Sequence, residues 1–202
     1  MGLIVKETGS ALPPVPEGVH PGVCYAVYDL GTHFNEKFAK RTRNILIGWE
    51  LPEERLEIEK DGQTLNLPRV VSKKYTMSLH EKAILRQHLQ AWRGRAFTAD
   101  EKEGFDITKL LGVNCMIQII HNTSDGKTYA NVSNVLPLYK GLSKREPENT
   151  SRFFSLQEYM DIPADTPDWI QDIIKDSEEW QTMRGQQPDP EPVSPNTGDV
   201  PF

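Results

Sequence analysis

The chain has 202 residues, 37% hydrophobic and 26% charged, with a formal net charge of −6. That suffices for one ordinary core plus an appendage, since domains usually run about 100–150 residues. No apolar run approaches the roughly 20 residues of a membrane span. The opening MGLIVKETGSALPPVPEG lacks the layout of a secretory signal and the Ser or Thr of a myristoylation signal. A soluble, cytoplasmic protein is expected.

Residues 1–20 carry three prolines and read as an extended lead-in. A domain over 21–140 follows. VCYAVYDL is β-branched and aromatic, and Gly31 punctuates it. The polar, cationic THFNEKFAKRTR reads as a connecting loop. In NILIGWEL the alternate residues Ile45, Ile47, Trp49 and Leu51 make one apolar face. LEIEKDGQTLNLP predicts a hairpin at Asp61-Gly62, and RVVSKKYTM a third strand. Ser78 and Glu81 have the spacing of a capping box, opening a helix whose stripe is Leu79, Ala83, Ile84, Leu85, Leu89 and Trp92 and which Gly94 ends. After the linker RAFTADEKEGFDITKL, GVNCMIQIIHN and YANVSNVLPL form two strands joined at Asp125-Gly126.

The order β-β-β-α-β-β predicts a mainly β fold, a five-stranded OB-fold barrel with its helix between strands 3 and 4. Residues 141–184 read as a linker and an acidic amphipathic helix. Thr166 is its cap, Pro167 its first residue, and Trp169, Ile170, Ile173, Ile174 and Trp180 its apolar face. Residues 185–202, rich in Pro, Gly and acid, read as a disordered tail.

The net charge hides a split. Residues 1–145 hold 20 of the 23 Lys and Arg against 16 of the 29 Asp and Glu, a balance of +4. Residues 146–202 hold 3 against 13, a balance of −10. Within the cationic part, His33, Phe34, Lys37, Phe38, Lys40, Arg41 and Arg43 interleave rings with cations. Cations track phosphates and rings stack on unpaired bases, so this mixture suits single-stranded nucleic acid. In an OB-fold the loop between the first two strands flanks the binding face. Lys73, Lys74 and Tyr75 make a second cluster, with either lysine able to point outward. Arg93 and Arg95 with Phe97 make a third. Trp49 is in phase with Ile45 and Ile47 and is expected in the core; Tyr129 is open either way.

The two cysteines, Cys24 and Cys115, sit in apolar stretches and read as small buried hydrophobes. Histidines 20, 33, 80, 88 and 121 show no metal-ligand spacing. No phosphate loop, nucleophile elbow or CxxC occurs. No catalytic residue, metal or cofactor is expected.

The chain finishes Asp199-Val200-Pro201-Phe202, a ring and a carboxylate on one residue that a partner pocket could grip. This acidic, Pro-containing tip resembles that of bacterial single-stranded DNA-binding proteins, with Val for Ile and one acid where they carry several. GVCYAVYDLG, KYTMSLHEKAILRQHLQAWRGRAFT, LLGVNCMIQIIHN and TPDWIQDIIKDSEEW resemble single-stranded DNA-binding proteins of tailed bacteriophages. That resemblance spans roughly residues 20–180. It implies an OB-fold and binding of single-stranded DNA in replication, recombination or repair inside a bacterial host. The resemblance of the tip implies recruitment of replication or recombination proteins through Asp199–Phe202. A homo-oligomer is open. The rival readings are an annealing or recombination mediator and an adaptor that binds a host factor through the acidic helix and tail.

Overall fold

A computed structural model describes residues 13–36, 39–60 and 62–185. Three long strands open the fold: β1 (Gly18–Asn35), β2 (Lys40–Lys60) and β3 (Gln63–Thr76). Helices α1 (Ile84–Arg93) and α2 (Ala99–Glu103) and a 3₁₀ turn (Ile107–Leu110) follow, then β4 (Asn114–Ser124) and β5 (Lys127–Pro137). A short β6 (Arg152–Phe154), α3 (Asp168–Lys175) and α4 (Glu178–Gly185) complete the described chain. The sheet runs β3-β2-β1-β4-β5, each pair antiparallel, with β6 alongside β1 in parallel. The fold is mainly β and the sheet is open, with no β3–β5 pairing among the described residues; Lys73 Nζ on edge strand β3 donates to Val132 O on edge strand β5 at 2.6 Å.

Both expected hairpins pair, β2 with β3 up to Lys60 and Gln63 and β4 with β5 up to Ser124 and Lys127. Gly62 has φ 76°, and Asp125 and Gly126 have φ 52° and 73°, the left-handed pair that a two-residue hairpin turn requires. The arms of the Asp61-Gly62 hairpin are continuous with β2 and β3, so these strands are much longer than their apolar segments.

Ile45, Ile47, Trp49 and Leu51 are all buried on one side of β2, as the alternation predicts. They pack with Leu85, Leu89 and Trp92 of α1 and with Ile117, Ile119, Val132 and Val135; the Trp49 and Trp92 rings lie 5.9 Å apart. Cys24 and Cys115 are buried here as free thiols; burial pushes Cys24 up to about 12 and Cys115 well above its usual value.

A second core covers the other side of β1 and β2. Ala26, Tyr28, Leu30 and Leu46 pack against Phe154, Leu156, Ile170, Ile174 and Trp180. Two bulges in β1, between Cys24 and Ala26 and between Asp29 and Gly31, shift which residues face each core. The segment read as linker therefore contributes a strand and part of a core. Glu50, fully buried, ties it down by accepting from the amides of Glu148 and Asn149 and from Asn149 Nδ2.

Four sequence expectations are corrected. The Ser78–Glu81 capping box does not form: Ser78 Oγ accepts from the His80 amide, residues 78–83 turn, and α1 starts at Ile84 after an Ala83 cap that makes no side-chain bond. A capping box forms instead between Thr98 and Glu101, inside the supposed linker. The C-terminal helix is two helices. Ser177 separates them by donating its hydroxyl to Ile174 O and accepting from Trp180 N, so it closes α3 and caps α4. Pro167, not Thr166, stands at the cap of α3. Gly94 ends α1 in the left-handed conformation, as expected.

Candidate nucleic-acid interface

The stretch His33–Arg43, expected as a loop, is mostly a two-stranded ribbon. Phe34 stands opposite Arg41 and Asn35 opposite Lys40, with Ala39 turning at φ 47°. Lys37 and Phe38 lie outside the described residues. Phe34 is 56% exposed and Lys40 is exposed, so both can meet a ligand. Arg41 is exposed too, its Nε 2.6 Å from Glu178 Oε1 on α4. Arg43 differs. Its Nη2 and Nε lie 2.5 and 3.2 Å from the two oxygens of Asp29, a nearly buried carboxylate that also accepts from the Gly31 and Leu156 amides. This pair raises the Arg43 pKa further, and the side chain is a structural element rather than a phosphate contact.

The second cluster divides. Lys74 points to solvent, and no hydrogen bond or ion pair to it is found among the described residues. Lys73 is half-buried, spends its ammonium on Val132 O, and has its pKa lowered by that burial. Tyr75 is 4% exposed, its hydroxyl 2.9 Å from His88 Nδ1, so it offers no face to a base. Burial and then the Lys73 charge push His88 down to about 4, which leaves it neutral at pH 7.

The third cluster is locked. Arg93 lies over the rings of Phe97 (4.6 Å) and Phe105 (5.1 Å) and bonds Glu101, which also takes Arg95 at 2.7 Å. The Arg95 bond, helped by the Thr98 amide, holds Glu101 down to about 2. Phe97 is buried, and so is Trp49; Tyr129 is 50% exposed on β5. The tip Asp199–Phe202 lies outside the described residues.

Two adjoining grooves run past the end of β3 and share Lys74, Tyr75 and Thr76. The first, about 580 Å³, is walled by Phe34, Asn35, Thr42 and Asn44. The second, about 640 Å³, is walled by Lys73, His80, Lys82, Ile84 and Ser133. Together they make a trough with exposed cations at Lys74 and Lys82, exposed His80, and exposed apolar surface at Phe34 and Ile84 (51%). Lys82 and His80 were missed from sequence because the false capping box placed them inside a helix, and Ile84, the first residue of α1, because it was assigned to the helix's apolar stripe. Glu36 itself lines the first groove and Glu81 is exposed between His80 and Lys82, so the trough is not uniformly positive.

Helix α4 packs on the β1–β2 ribbon beside Thr32, and none of its residues lines either groove. Glu179 Oε2 accepts from the Thr32 amide at 2.7 Å and Oε1 from its hydroxyl at 2.6 Å. Burial opposes ionisation of Glu179, yet the two Thr32 bonds win and hold its pKa below the usual value.

Among the described residues no group of three or more His, Cys, Asp or Glu could hold a metal ion, and no helix is long and apolar enough to cross a membrane. Compared with family models, curated proteins and solved structures, the chain matches none.

Proposed function

We propose that the chain is a single-stranded DNA-binding protein, an OB-fold that holds an unpaired strand in the trough past the end of β3 with little sequence preference. The observation that carries this reading is the exposed Phe34 in a groove continued by Lys74, His80 and Lys82 with Ile84, with Lys40 exposed on the adjoining ribbon. Cations along a path bind phosphates, and exposed apolar side chains between them offer surfaces for unpaired bases. Three strands, a helical segment and two more strands in chain order, and the Lys73 contact from β3 to β5, support the OB reading, as does the trough's place beside the first hairpin. The resemblance of the body to phage single-stranded DNA-binding proteins agrees with it. Recruitment of replication or recombination proteins through Asp199–Phe202 belongs to the same proposal and rests on the sequence of the tip alone.

The test is a pair of titrations, one with labelled oligo(dT) and one with duplex of the same length. Oligo(dT) should bind at least about tenfold more tightly, a difference of about 1.4 kcal/mol. Equal affinity for both would remove the reading, because phosphate attraction alone does not distinguish the strands.

A further inference from the structure

Helix α4 meets the β1–β2 ribbon through contacts of unequal strength. Ser177, just before the helix, is fully buried, and a Cβ on Gly31 would come within 2.4 Å of Ser177 Cβ. Gly31 also holds φ +76°, so both space and backbone require glycine there. Glu179 grips the amide and hydroxyl of Thr32, and Trp180 is 6% exposed in the second core. These three fix the helix.

The fourth contact is of another kind. Glu178 Oε1 lies 2.6 Å from Arg41 Nε, and the two side chains are 44% and 69% exposed. An ion pair so open to water contributes little to stability and is screened by salt. It can be exchanged without moving the helix, which its neighbours hold. Arg41 also stands directly across the ribbon from the exposed Phe34, at the spacing where cross-strand side chains meet.

We infer that Arg41 is a phosphate site of the strand-binding surface and that Glu178 occupies it in the free protein, its carboxylate standing where a phosphate oxygen of the nucleic acid lodges. On binding, the phosphate replaces the carboxylate at the guanidinium and Glu178 turns to solvent. Ser177, Glu179 and Trp180 keep α4 in place. Arginine suits this exchange because its planar fork takes carboxylate and phosphate in the same geometry. Every strand that binds must first displace a tethered competitor, so Glu178 lowers affinity most at low salt. The inference rests on the single-stranded DNA reading above.

The experiment is a titration of the full chain and its Glu178→Gln variant with oligo(dT), in both the native and the Arg41→Ala backgrounds. The amide side chain keeps the shape and removes the charge. At about 50 mM salt Glu178→Gln should tighten binding about two- to fivefold, the worth of one exposed pair. The gain should shrink at about 200 mM salt and vanish in the Arg41→Ala background. Hydrogen exchange in 178–185 should be unchanged. If the native chain binds oligo(dT) and Glu178→Gln binds it equally, the competitor is overturned while the DNA reading stands. A gain that persists without Arg41 also overturns it. If the native chain does not bind oligo(dT), the DNA reading fails and takes this inference with it.

Discussion

Exchanging Lys40, Lys74 and Lys82 together for alanine should weaken oligo(dT) binding roughly 100-fold at about 0.1 M salt and lower the slope of log affinity against log salt by about 2. Each phosphate contact on a single strand contributes about 0.7 to that slope, and three are removed. All three side chains are exposed, so the melting temperature should stay near that of the native chain. Phe34→Ala should cost a further stacking contribution of about 1–3 kcal/mol and leave the slope alone, because no charge is lost. Fluorescence anisotropy at several salt concentrations reads both quantities. Native affinity in the triple variant would move the binding surface elsewhere on the molecule.

Asp29→Ala, in contrast, should damage the fold. Asp29 is 8% exposed and accepts from both Arg43 nitrogens and from the Gly31 and Leu156 amides. Removing it leaves a largely buried guanidinium and two amides without acceptors, at a cost of about 3 kcal/mol. For a chain of this size that lowers the melting temperature by about 6–12 °C. Arg43→Ala should destabilise to a similar degree by stranding the carboxylate. Arg41→Ala, which breaks only an exposed pair, should cost at most about 1 kcal/mol. Differential scanning calorimetry separates them. An Arg43→Ala chain that melts normally but binds oligo(dT) poorly would return Arg43 to the interface.

These contrasts mark where the sequence was legible. The five long strands, the two hairpin pairings, the inward side of β2 with Trp49 and the stop at Gly94 could be read because each depends on neighbours a few residues away. The state of each cation could not. Lys40, Arg41 and Arg43 look alike in KRTR, yet Arg43 pairs with Asp29, fourteen residues earlier, and Arg41 with Glu178, 137 residues later. Arg93 and Arg95 are lost to Glu101 for the same reason. A carboxylate brought in by tertiary packing decides whether a cation remains available to phosphate, and spacing along the chain does not encode it. The second core was visible in part. VCYAVYDL is apolar at both parities, which fits a strand buried on both sides rather than one with a wet face. Ser177 inside an apparently continuous helical pattern gave no such cue, since a serine that caps is indistinguishable by spacing from one on a polar side.

The most direct measurement of where a strand lies is amide chemical-shift mapping of the ¹⁵N-labelled chain during titration with oligo(dT). The account predicts the largest shifts at Phe34, Lys40, Arg41, Lys74, His80, Lys82 and Ile84. It predicts little change at Arg93, Arg95 and the turn joining β2 to β3. Shifts concentrated at Arg93 and Arg95, with Phe34, Lys74 and Lys82 silent, would contradict it.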